Sequence, residues 1–70
     1  MKETTRQLFA RRVKELRAER GWSQDELAAN SGLHRAYIGI IERCEKGATL
    51  DTVEKIAEAL GVPVSELFKG

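Results

Sequence analysis

Between Thr4 and Arg20 the apolar residues Leu8, Phe9, Val13 and Leu16 return at helical spacing among charged neighbours, which predicts a helix with one buried stripe. Thr4 and Gln7 have the spacing of a capping box at its start, and Gly21 ends it. Trp22 follows as a core anchor. Ser23 and Glu26 form a second capping box, so a second helix runs from Gln24 to about Asn30, with Leu27 and Ala28 inward and Ala29 and Asn30 outward. Ser31-Gly32-Leu33 breaks the period at a sharp turn. In the third segment, His34 to Arg43, Tyr37, Ile38 and Ile41 fit a buried stripe, while Arg35, Ala36, Gly39 and Ile40 leave an opposite face of little bulk that another surface can approach closely. After a loop at Glu45-Lys46-Gly47-Ala48, Thr49 caps a fourth helix that carries Leu50, Val53, Ile56, Ala57 and Leu60 at a helical period, ended by Gly61. Val62-Pro63-Val64 leads into a short fifth helix, Ser65 to Phe68. Five helices and no strand pattern predict an all-α fold, a compact five-helix bundle.

Seventy residues make one domain, spanning 1–70, with no room for a separate catalytic unit. At 41% hydrophobic and 33% charged, the chain is too apolar and too mixed in sign to stay disordered. A single cysteine, Cys44, excludes an internal disulfide, and with His34 as the lone histidine no metal-ligand set exists; no cofactor motif and no small-molecule site are evident. No apolar run approaches a membrane span and the first residues lack a signal-peptide core, so a reducing cytoplasm is the expected setting. The net charge of +1 conceals an asymmetry: residues 1–46 hold ten Lys/Arg against seven Asp/Glu, and residues 47–70 hold two against four. The basic part is suited to an acidic partner, although solvated helix faces account for such a bias equally well.

Trp22-Ser-Gln-Asp-Glu-Leu-Ala28, Gly32-Leu33, Tyr37-Ile38 and Ile41-Glu42-Arg43 resemble the helix-turn-helix of phage-repressor-like, xenobiotic-response-element-type regulators. Thr49-Leu50, Val53 to Ala57, Ala59 to Val62 and Glu66-Leu67-Phe68 are similar to the same family's later helices, so the resemblance spans nearly the whole chain. Within the family, the run from His34 to Arg43 is most similar to the controller proteins of restriction–modification systems. The resemblance implies a lambda-repressor-like DNA-binding domain whose helix-turn-helix covers about residues 24–43 and whose third helix enters the major groove of double-stranded DNA.

Groove geometry supports that carry-over, because a major groove about 12 Å wide admits one helix whose N-terminal side chains reach base edges. Arg35 stands there, able to donate to guanine O6 and N7 or to clamp a phosphate. Ala36 and Gly39 permit close approach, and Ala36 or Ile40 can meet a thymine methyl. By resemblance, Gln24 ties to a phosphate at a helix N-terminus, His34 contacts phosphate beside the third helix, and Arg43 and Lys46 add backbone or base contacts. The resemblance also makes Arg17 and Glu42 a partly buried ion pair with a structural role. Cys44 stands where many relatives have glycine, and Gly47 is expected to take over the tight turn. One helix reads only about three or four base pairs, so a homodimer on a roughly palindromic operator is the expected mechanism. Val64, Leu67 and Phe68 are available for its interface or for the core of the single chain. The competing reading is a protein-interaction module or antitoxin with Ile40, Leu67 and Phe68 as exposed anchors. An enzyme fails on inventory: one histidine, one cysteine, no phosphate-binding glycine loop and no clustered carboxylates.

Overall fold

Each helix begins where a side chain can satisfy its free amides. The computed structural model describes residues 2–70; Met1 lies outside them. Helix α1 (Thr5–Glu19) starts at Thr4, whose hydroxyl accepts from the Gln7 amide at 3.1 Å while the Gln7 side chain accepts from the Thr4 amide at 2.8 Å. Helix α2 (Gln24–Ser31) starts with the same reciprocal pair between Ser23 and Glu26. Helix α3 (Arg35–Glu42) is capped by the His34 ring, and α4 (Leu50–Leu60) by the Thr49 hydroxyl.

All four helices end in one type of closure. A residue with positive φ follows the last turn, at Gly21, Gly32, Cys44 and Gly61. After α3, the Cys44 amide donates to the Ile41 carbonyl at 3.0 Å and the Glu45 amide to the Ile40 carbonyl at 3.1 Å, the paired bonds of a Schellman motif. Glycine holds this left-handed position at three closures without a Cβ clash; at the fourth, Cys44 holds it with φ 60°. Gly47 therefore does not take over the turn, because the position is fixed by where α3 ends.

The last segment departs from the expected fifth α-helix. Val64–Phe68 is a 3-10 helix, so the described residues form four α-helices and a terminal 3-10 turn. The segment has only five residues, and its opening bond is the short one from the Glu66 amide to the Pro63 carbonyl, at 3.0 Å. Among the described residues there is no strand, and no helix is long and apolar enough to cross a membrane.

The core is a continuous cluster of Phe9, Val13, Leu16, Leu27, Ala28, Ile38, Ile41, Val53, Ile56, Ala57, Leu60 and Leu67, drawn from every element. Each Leu or Ile fully buried here contributes about 1.5–3 kcal/mol. Trp22 and Tyr37 pack on its edge. Phe68 closes the end over α1, its ring 5.5 Å from that of Phe9 and nearly parallel to it. Arg12 donates from α1 to the Glu66 carbonyl at 2.9 Å, and Arg20 reaches the carbonyls of both Leu16 and Leu60, placing a cation at two helix ends. Leu50 breaks the expected stripe. It is the first residue of α4 and is 83% exposed, since the core begins one turn later at Val53.

Candidate nucleic-acid interface

Helices α2 and α3 are joined by the tight turn at Gly32 and held in fixed relation by one carboxylate. Glu42, buried at the end of α3, accepts from Arg17 Nε at 2.8 Å and from Arg17 Nη2 at 2.9 Å, a two-pronged bond from α1. It also accepts from Gln24 Nε2 at 3.0 Å, at the first residue of α2. Arg17 donates its remaining Nη1 to the Trp22 carbonyl at 2.8 Å. The hydrogen bond to Glu42 raises the Arg17 pKa above its ordinary value. Gln24, expected at a phosphate, thus has its side-chain amide nitrogen committed to Glu42.

On the outer side of α3, His34, Arg35, Ala36, Gly39, Ile40 and Arg43 line a shallow depression of about 400 Å³. These are six of the eight DNA-contact positions proposed from sequence. Their small members make the depression: Gly39 lies low in the helix surface, and a Cβ added there would come within 2.9 Å of the Arg43 guanidinium, which lies across it. His34 is exposed at the lip, its Nδ1 accepting from the Ala36 amide at 3.1 Å. Lys46 is exposed in the following loop and does not line the depression.

Two of the cations are paired with acids that sequence reasoning left out. Arg43 Nε donates to Glu45 at 2.6 Å, and that bond holds the Glu45 carboxyl below its ordinary pKa. Glu45 is two residues from Arg43 in the chain and was legible as a neighbour. Arg35 Nε lies 2.9 Å from Asp25 Oδ1, with the two side chains 67% and 69% exposed. Asp25 comes from the first turn of α2, and no local spacing connects it with Arg35.

The remaining expected surface is the proposed interface at the end of the chain. Val64 is 41% exposed, Phe68 is half-buried against Phe9, and Leu67 is wholly buried in its own core and so has no surface to offer a second copy.

Residues 13–67 match the helix-turn-helix family. The chain is 41% identical over 69 residues to control protein C.BamHI of Bacillus amyloliquefaciens, covering 97% of this chain and 85% of that protein. It is 42% identical over 63 residues to control protein C.SmaI of Serratia marcescens, covering 90% of this chain and 75% of that one. The crystal structure of the restriction-modification controller protein C.AhdI from Aeromonas hydrophila superposes with a TM-score of 0.84 at 43% identity, over 87% of this chain and 92% of that chain. A buried carboxylate that braces two helices, a shallow face along the second of them and relatives that share both sequence and fold lead to one assignment: the chain belongs to the phage-repressor-like helix-turn-helix family, alongside the restriction–modification controller proteins.

Proposed function

We propose that the chain is a single helix-turn-helix domain, residues 1–70, that acts as a sequence-specific transcriptional regulator by placing α3 in the major groove of a roughly palindromic operator. The observation that carries the reading is the depression along α3, lined by Arg35, Ala36, Gly39 and Arg43. A helix face without bulk lets the backbone sit deep in a groove, and cations at its edges meet base acceptors or phosphates. Gln24 and His34, at the starts of α2 and α3, are suited to phosphate contact through backbone amides at helix N-termini. Ile40 and Ala36 meet thymine methyls, and Lys46 and Arg43 take the flanking backbone.

The partner copy follows from the information one helix can read. A homodimer doubles the contacted bases and spaces the two α3 helices by about 34 Å, one turn of DNA. Val64 and Phe68 supply its apolar contact, with Leu67 holding the segment in place from inside. The alternative of a protein-docking module loses one of its three anchors, since Leu67 is buried.

The test is selection from a randomised duplex library, with the enriched sequence retested at several salt concentrations. An inverted repeat bound with a steep salt dependence is the expected result, and Arg35→Ala should lower affinity for it while leaving the far-ultraviolet helix spectrum unchanged. Absence of enrichment at low salt would remove the DNA reading.

A further inference from the structure

Asp25 lies in the first turn of α2, where its charge suits the helix N-terminus as that of Asp51 does in α4. The start of α2 is already capped by Ser23 and Glu26, and Asp25 is more than two-thirds exposed. Its one partner is Arg35, on the next helix. An exposed ion pair of this kind contributes little to stability, so the consequence of the contact lies in what it does to Arg35.

Arg35 is the first residue of α3, where a side chain reaches base edges most directly. Asp25 Oδ1 meets its Nε at 2.9 Å as an ion pair rather than an aligned hydrogen bond, and Nη1 and Nη2 hydrogen bond to nothing among the described residues. Two N–H groups on these nitrogens form the fork that matches guanine O6 and N7. A long side chain drawn towards Asp25 also has fewer orientations to lose on binding. The Asp25 charge acts in the same direction. It repels a phosphate that approaches the guanidinium, whereas the acceptors of a neutral base suffer no such penalty. Resting on the DNA reading above, we propose that Asp25 is a positioning residue that holds Arg35 for a guanine edge and turns it away from the DNA backbone.

Asp51 provides a matched control, since it occupies the same place in α4 that Asp25 occupies in α2, the second residue after the cap, and has no ion-pair partner among the described residues. The experiment measures affinity of the full chain for three duplexes: the selected operator, the operator changed at the base pair where Arg35→Ala loses discrimination, and an unrelated sequence. Wild type, Asp25→Asn, Arg35→Ala, the double variant and Asp51→Asn are compared, with helix content checked by circular dichroism. Asp25→Asn is expected to reduce discrimination at that base pair about 2- to 5-fold, the scale of an exposed ion pair, while affinity for the unrelated duplex rises. In the Arg35→Ala background the Asp25 change should leave discrimination untouched. Asp51→Asn should shift all three duplexes together. The proposal is overturned if Asp25→Asn shifts all three duplexes equally, as Asp51→Asn does, or if its effect on discrimination persists without Arg35. A wild-type protein that selects no sequence defeats the DNA reading itself and the proposal with it, and that result is visible before any variant is made.

Discussion

Cys44 holds the left-handed position that glycine holds at the other three helix ends, and a side chain there costs about 1–2 kcal/mol. Cys44→Gly should therefore raise stability, by about 0.5–1 kcal/mol once the greater freedom of glycine in the unfolded chain is set against the relieved clash. Thermal unfolding checks this, and a lower midpoint would show that the thiol's packing outweighs its backbone strain. The sequence pointed to Gly47 because glycine is the ordinary occupant of such positions, whereas the bonds of Cys44 and Glu45 to the end of α3 settle the place of the turn. Arg43 and Glu45 permit a second check. The guanidinium depresses the carboxyl's pKa in the folded protein, so the pair's contribution is present above the unfolded glutamate value and is lost as pH falls through the folded one. A carboxyl-carbon NMR titration should find Glu45 below 4.5, and Arg43→Ala should return it towards that ordinary value. Among the apolar residues, Leu67 and Val64 should behave oppositely although three positions apart. Leu67→Ala removes a wholly buried side chain and should cost about 2–5 kcal/mol in denaturant unfolding.

Helix starts were the most legible feature because a cap is a conversation between residues three apart: Thr4 with Gln7, Ser23 with Glu26, Thr49 with Thr52. Helix faces were legible where the core surrounds them and failed at an end, as Leu50 shows by following the period of α4 and yet lying beyond the core. The terminal 3-10 turn was misread as an α-helix because five residues carry too little periodicity to separate the two. The Arg17–Glu42 pair was recognised by resemblance, while the bond from Gln24 to the same carboxylate joins residues 18 positions apart and had no local sign. That shared carboxylate leads to a prediction about how the helices are held. Arg17→Met leaves a buried Glu42 with only Gln24 as a side-chain donor and should cost about 3–5 kcal/mol. Replacing both Arg17 and Glu42 with apolar residues should recover a good part of the loss, because no uncompensated charge then remains. Equal losses in the single and double variants would assign the cost to packing instead.

The proposed dimer on DNA would have two properties that a single chain does not show. Val64→Asp should shift the sedimenting species towards monomer and weaken operator binding while leaving helix content unchanged, since Val64 is partly exposed and outside the core cluster. Lys46→Ala should weaken all duplexes alike and reduce the slope of log affinity against log salt by about 2 for the dimer, one phosphate contact per protomer. Six of the eight proposed DNA-contact positions lie together because α3 gathers them on one face; the acid paired with Arg35 was not legible, because a partner on another helix leaves no periodic trace. The placement of Gly39 has a consequence for how such proteins diversify. A side chain added there meets only the movable tip of Arg43, not backbone or core. Position 39 can therefore take a side chain once that tip moves, and a scaffold of this kind can alter its outer face there without passing through an unfolded intermediate in its history.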